Sequence, residues 1–391
     1  MFYSKLNALR GAAAFFVASF HYVEPYGRIN ALFYNSAIFV DLFFVLSGFV
    51  ICTGYLQKIS DQDINFRQFA FLRLMRLYPV HFAIMLAWLV FVVAKLLAAN
   101  LYGIGSPQDD RDLFWSFFET LFLVNAYGLS DLFNWNFPTW SVSAELFAYL
   151  VFFCLIFAFG RIFASPGLLL VVALFISVSG YTVLYAVGLS QEHPELVYRH
   201  FDFGFLRGTA GFFAGVALSQ IDPGRWIKNR GLLTDSFLEI LLVTAVLWLV
   251  SVSNDSFVLQ ALMIPAFAAA IGFFSGQSNG VVSVFLNGRV MQHLGRISYS
   301  FYLWHVLILL FVTDVFQFVL GAETNAKGYI AGDAKWLVAG VAFASTWLFA
   351  TFSYRLVEKP FRCWSRHLVS DGWGASRATR KLDRDLVSGQ F

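Results

Sequence analysis

The sequence predicts an all-α polytopic membrane protein: about ten transmembrane helices around a central cavity, plus an interfacial or re-entrant segment near 113–124. Three observations predict it. Hydrophobic residues make up 59% of the 391-residue chain and charged residues only 13%, far from the balance of a soluble domain. Apolar runs of roughly 16–22 residues recur from end to end, long enough to cross about 30 Å of hydrocarbon. Lysine and arginine gather in alternate connections, as orientation by positive charge requires.

Taken in order, the runs fall at 8–23, 37–56, 79–98, 142–161, 167–188, 204–219, 236–252, 257–276, 299–319 and 335–355. With the N-terminus inside, the inner side collects Lys5, Arg10, Lys58, Arg67, Arg73, Arg76, Arg161, Arg225, Lys228, Arg230, Arg289, Arg296 and the basic residues from Arg355 to Arg384. The outer side holds Arg28, Arg111, Arg199, Lys327 and Lys335, while Lys95 and Arg207 fall within spans. An even number of spans then places both termini in the cytoplasm. The piece "LFWSFFETLFLV" (113–124) is too short to cross and reads as interfacial or re-entrant. Residues 1–362 are read as one transmembrane domain and 363–391 as a basic cytoplasmic tail suited to anionic lipid. No cleavable signal pattern precedes the first run, and Cys52, Cys154 and Cys363 have neither disulfide nor zinc spacing. No metal, no tightly bound cofactor and no nucleic-acid partner are expected. No internal repeat of the kind common in transporters is visible.

Ionisable residues inside these runs carry the chemistry. In "LNALRGAAAFFVASFHYVEPYG" (6–27), Arg10 and His21 are eleven residues apart, so they return to within about 20° of one helix face, about 16 Å apart along the axis. Charged groups aligned on one face more often line a cavity than face lipid; the alternatives are a snorkelling anchor for Arg10 and an interfacial polar residue for His21. Asp41 in "FVDLFFVLSGF" (39–49) lies about one turn below the outer surface, placed either to orient the His21 imidazole or to complement the helix dipole. Ser47-Gly48 suits close helix packing. Arg73 and Arg76 in "FRQFAFLRLMRLYPVH" (66–81) share one helical face, which fits a phosphate-bearing ligand or a topology anchor.

The stretch "NWNFPTWSVSAELFAYL" (134–150) offers Pro138, Ser141 and Ser143 as helix-start residues, which puts Glu145 in the first turn at the depth of His21 and Asp41. Trp135 and Trp140 are interface anchors or a platform for a sugar face. Later, "LGRISYSFYLWHVLI" (294–308) places His305 in the cytoplasmic half of the ninth span, as a packing residue. Arg355, Glu358 and Lys359 of "FSYRLVEKPFR" (352–362) lie at the inner end of the tenth.

Six motifs follow in order: the R-x10-H of Arg10 and His21, "FFVLSGF", the R-x-x-R of Arg73 and Arg76, "PTWSVSAE", "ISYSFYLWH" and "EKPFR". Over about residues 5–362 this set resembles the acyltransferase 3 family of membrane acyltransferases, which O-acylate lipopolysaccharide, capsule, exopolysaccharide and other glycans. Two departures stand out. Leu146 occupies the position where many relatives have a second acidic residue, and the chain does not run on into the periplasmic esterase-like domain of some members, so no second catalytic site is expected. The resemblance implies a bacterial inner membrane, ten core helices and a cytoplasmic acyl-CoA donor, by family frequency acetyl-CoA.

Resemblance and depth together suggest one arrangement. Arg10, Arg73 and Arg76 would grip the phosphates of acyl-CoA while its thioester extends toward His21. A glycan acceptor would enter from the outer side by Trp140, Ser141 and Ser143. His21, an imidazole that titrates near neutrality, would act as general base, oriented by Asp41 or Glu145. Direct transfer and an acyl-enzyme intermediate both stay open, as does the oligomeric state. The competing readings are a transporter or flippase for a lipid-linked glycan, and a membrane sensor or scaffold without activity.

Overall fold

The computed structural model describes residues 3–23, 30–103, 110–129, 135–160, 162–164, 166–190, 195–200, 202–254, 256–325 and 330–371. Among them the chain is helical, with one isolated bridge between Thr324 and Ile330 as its only extended pairing. The helices, in order, are α1 (Ser4–Val23), α2 (Ala31–Tyr34), α3 (Phe39–Ser60), α4 (Phe66–Tyr102), α5 (Asp110–Leu121), α6 (Trp140–Phe159) and α7 (Pro166–Gly188). They continue with α8 (Gly204–Ile221), α9 (Leu232–Ser253), α10 (Phe257–Phe274), α11 (Val281–Leu286), α12 (Arg289–Asp314), α13 (Ala334–Ser353) and α14 (Lys359–Asp371).

Each of the ten expected spans falls on one long helix, and eight of these regions are long and apolar enough to cross a membrane. The two that fall short are α1, which carries Lys5, Arg10 and His21, and α8, which carries Arg207. Both are enclosed by neighbours instead of facing lipid along their length: α1 packs on α12 and α3, and α8 on α3, α7 and α6. This is an all-α polytopic membrane protein.

Two helices start ten or more residues earlier than their apolar runs. α4 begins at Phe66, thirteen residues before the run at 79, because Asn65 caps it. The Asn65 side chain accepts from the Gln68 N–H at 3.0 Å and the Gln68 side chain accepts from the Asn65 N–H at 3.0 Å, a reciprocal cap. Pro79 lies inside this helix; it removes one backbone hydrogen bond, a loss that membrane helices absorb through their neighbours. α12 begins at Arg289, ten residues before the run at 299. In each case a glutamine near the start turns inward, Gln68 buried and Gln292 half-buried with its Nε2 donating to the Ser4 and Leu286 carbonyl oxygens, so hydropathy alone reads those turns as loop.

Two close crossings hold the core. A Cβ on Gly48 would sit 1.8 Å from the Phe212 carbonyl oxygen, and one on Gly215 would sit 1.9 Å from that of Val45, so only glycine lets α3 and α8 approach this closely. Gly11 and Gly295 do the same for α1 and α12: a Cβ on Gly11 would lie 2.7 Å from the Gly295 nitrogen.

α5 covers most of the expected short segment. Its Phe114 and Trp115 are exposed while Ser116 and Thr120 turn inward, which suits contact with an apolar surround. At the other end of the chain, α13 passes through a π-helical turn, Tyr354–Glu358, into α14. The expected domain boundary at 362 falls within α14, which packs on α4 through Phe71 and Trp364, ring centroids 5.8 Å apart. Residues 372–391 of the expected tail lie outside the described residues, as do Arg28, Arg161 and Lys327 of the charge distribution.

Candidate active site

A cavity of about 1210 Å³ runs inside the bundle. It reaches the end at which α1 begins, beside the α3–α4 turn with Lys58 and Asp63, and it stops at Phe43, Ser141 and Tyr302. Seven cations line it, Arg10, Lys58, Arg73, Arg76, Arg296, Arg362 and Arg366, against three carboxylates, Asp63, Glu145 and Glu358. The three arginines singled out from the sequence therefore share one cavity.

None of the three forms an ion pair with a carboxylate among the described residues. Arg73 donates to the Tyr55 hydroxyl at 2.7 Å and lies 4.8 Å from the centre of that ring. Such a neutral partner fixes the guanidinium and leaves its charge available. Arg10 and Arg76 feel one another's charge and share the fields of Glu145 and Glu358. Glu145 accepts from Ser47 Oγ at 2.6 Å and from the Tyr149 hydroxyl at 2.5 Å. Glu358 accepts from Ser300 Oγ at 2.9 Å and from Arg362 at 3.2 Å.

Beyond the inner end of the cavity lies a pair of imidazoles. The rings of His21 and His305 have centroids 5.1 Å apart. Phe137 stands edge-on to His21 at 5.1 Å and Phe20 at 4.8 Å. His305 is fully buried, and its Nδ1 donates to the Tyr302 carbonyl oxygen. A carbonyl only accepts, so the neutral His305 ring carries its proton on Nδ1 and leaves Nε2 a bare acceptor; that atom has no hydrogen-bond partner. Tyr302 stands between this pair and the cavity. Its hydroxyl donates to the Pro138 carbonyl oxygen at 2.9 Å and lies 2.9 Å from Ser141 Oγ, while its ring is 5.9 Å from Phe43.

The meeting of the two histidines corrects the expected depth of His305. α1 and α12 run in parallel, with Gly11 against Gly295, and each histidine lies ten residues further along its own helix. Equal rise from a shared crossing brings them level. Because α12 starts at Arg289, residue 305 is well inside the helix and not near its start. The signal was the matched glycine-to-histidine spacing.

The carboxylates are placed differently from the expectation. Asp41 is fully buried and bound by Arg207, Nη2 to Oδ2 at 2.6 Å and Nε to Oδ1 at 3.1 Å. Both of its oxygens are thus taken by one guanidinium, and it makes no hydrogen bond to His21. Glu145 is not level with Asp41 either. Its partner Ser47 is six residues further along α3, about 9 Å toward the Arg10 end. The reason is the entry of the chain before α6: Asn136, Pro138 and Thr139 are already buried, with Asn136 Nδ2 donating to the Leu303 carbonyl oxygen at 3.1 Å. The helix therefore starts inside the protein.

Of the expected acceptor residues, Ser141 lines the cavity, whereas Ser143 is fully buried. Trp140 is also buried, with the Arg207 guanidinium 5.1 Å from its ring centre and Phe44 at 5.9 Å, so its face is occupied. Trp135 is buried against Phe117, ring centroids 4.7 Å apart. Among the described residues no cluster of metal-ligating side chains occurs.

Residues 3–357 match the family model described as "Acyltransferase domain". The peptidoglycan O-acetyltransferase OatA of Listeria monocytogenes is 26% identical over 374 residues, covering 91% of this chain and 55% of that protein. YrhL of Bacillus subtilis is 26% identical over 376 residues, covering 91% of this chain and 54% of that protein. Protein 2 in picA locus of Rhizobium radiobacter is 36% identical over 105 residues, 27% of this chain and 51% of that protein. The chain spans about half the length of these curated relatives. No solved structure gives a significant match. With the family model running over nearly its whole length, the chain belongs to the acyltransferase 3 family.

Proposed function

We propose that the protein is an integral membrane O-acyltransferase that moves an acetyl group from cytoplasmic acetyl-CoA to a hydroxyl of an exported glycan. The observation that carries this reading is the arginine-rich cavity ending one tyrosine short of the His21–His305 pair. Arg10, Arg73 and Arg76 hold the donor phosphates, and the slender thioester arm passes Tyr302 and Phe43 to reach His21. His21 takes the proton of the sugar hydroxyl as its oxygen attacks the thioester carbonyl. The carbon–sulfur bond then breaks, and the CoA thiolate leaves and recovers that proton from the imidazolium. His305 replaces the expected carboxylate partner: its bare Nε2 is the acceptor that steadies a protonated His21. The naming of OatA as a peptidoglycan O-acetyltransferase favours a glycan acceptor.

The test is acyl transfer by purified protein, with labelled acetyl-CoA and a glycan acceptor. Ester formation that depends on both supports the reading. Passage of a lipid-linked glycan across vesicle membranes without ester formation overturns it in favour of a flippase. Mass spectrometry of surface glycans with and without the gene product identifies the acceptor. Location-reporting fusions at residue 120 and at the C-terminus are expected to report opposite sides of the inner membrane, with the C-terminus inside.

A further inference from the structure

We infer that α14 supplies the recognition site for the 3′-phosphate of the CoA nucleotide, with Arg366 as its specificity-determining residue. This rests on the donor reading above and assigns a part of the donor that Arg10, Arg73 and Arg76 do not account for. CoA carries its phosphates in two places: a pyrophosphate in the middle of the molecule and a phosphomonoester at the end opposite the thiol, together about four negative charges. If the thioester lies near Tyr302, the phosphomonoester must lie toward the end of the cavity where α14 is found.

The chain places an unmatched charge there. Arg362 and Arg366 are four residues apart on one face of α14, and both line the cavity. Arg362 is tied to Glu358 at 3.2 Å. Arg366 has no carboxylate partner among the described residues; the cations whose charge it feels are Arg73 and Arg76 of α4, with Arg362 one turn away on its own helix. Seven cations against three carboxylates leave the cavity with a surplus of four positive charges, a count that matches the donor. A polyanion bound in the cavity would relieve this repulsion. The position of Arg366 is also built. Trp364 packs on Phe71 of α4, and Ser365 is buried with its hydroxyl donating to the Arg362 carbonyl oxygen at 3.2 Å. A loose basic tail would present no such fixed geometry.

A phospholipid headgroup offers the same phosphate chemistry, so the experiment separates the two sources. Full-length protein in nanodiscs of zwitterionic lipid is titrated with CoA and with 3′-dephospho-CoA. Wild type is expected to prefer CoA by about 10- to 100-fold, the range for one charged hydrogen-bonded contact. Arg366→Gln should lose that preference while keeping the wild-type affinity for 3′-dephospho-CoA, which also shows that the variant is folded. Arg366→Lys should recover part of it. A wild type that binds the two nucleotides alike, or an Arg366→Gln that still prefers CoA fully, overturns the inference and leaves the donor reading standing. An Arg366 effect confined to binding of anionic lipid overturns it in favour of the headgroup. A wild type that binds neither nucleotide overturns both.

Discussion

Two sets of arginines inside the bundle treat charge in opposite ways. Arg207, 1% exposed, is matched by the equally buried Asp41 through two hydrogen bonds, and its remaining nitrogen donates to the Val197 carbonyl oxygen at 3.1 Å. Nothing in that knot is left over for a ligand. In the cavity the guanidiniums outnumber the carboxylates, and Arg73 leans on a tyrosine and not on an acid. A closed pair stabilises only the contacts it already makes, and its value lies in holding α3, α8 and the 197–199 loop together. An uncompensated cluster raises the energy of the empty protein and is repaid when an anion arrives. The same residue type is architecture where it is fully buried and, on the donor reading, binding surface where it lines the cavity.

That contrast is open to direct attack. The largest expected effect is on neither set but on the ring pair beyond the cavity. His21→Ala should slow acyl transfer by about 10²–10⁴-fold, with the unfolding temperature and CoA affinity unchanged. A fall in stability in place of rate would move His21 into the architectural group. Next in size is Asp41→Ala, which leaves Arg207 buried and unpaired and should cost about 3–5 kcal/mol of stability. Thermal unfolding in detergent reads this, and a double replacement, Asp41→Leu with Arg207→Met, should recover most of it. If Asp41→Ala instead kept its stability and lost rate, the pair would be part of the chemistry.

Arg73→Ala and Arg76→Ala should show the reverse pattern. CoA binding weakens by about 1.5–3 kcal/mol while stability holds or rises, as titration calorimetry beside a melting curve would show. Unchanged affinity in both would return these residues to the role of topology anchors. The smallest effect is expected for Ser47→Ala. It removes one of the two hydroxyls on Glu145 and leaves Tyr149, so a loss of about 0.5–1.5 kcal/mol should appear in stability.

The order of helices was legible because each run long enough to span had to be a helix: backbone groups in hydrocarbon have no other partners. α1 was readable in spite of Arg10 and His21 because the rest of its run is apolar. What the pattern missed follows from a single cause. Hydropathy locates the stretch that faces lipid, and a helix enclosed by other helices need not be apolar where it begins. α12 therefore looked as if it began ten residues later than it does, which pushed His305 toward the wrong end. Glu145 was misplaced by the opposite effect, a 3-10 turn at Phe137–Thr139 whose Pro138 and Thr139 are buried before α6 starts. The grouping of Arg10, Arg73 and Arg76 needed only helical periodicity and position near one end of their helices. The engagement of Asp41 by Arg207 needed contacts between α3 and α8, 166 residues apart in sequence, which no local pattern carries.

The seal formed by Tyr302 has a consequence for the cell's energy. A water-filled passage linking the two ends of such a bundle would be a proton leak, and a membrane that drives transport and ATP synthesis tolerates few of those. By anchoring its hydroxyl on Pro138 and Ser141 and setting its ring beside Phe43, Tyr302 ends the charged chamber before the histidines begin. In the proposed reaction only a chain as thin as a thioester arm would part those rings, and it would fill the gap as it did so. On that reading the barrier opens only when something occupies it, and a charged chamber this deep does not drain a gradient across the membrane.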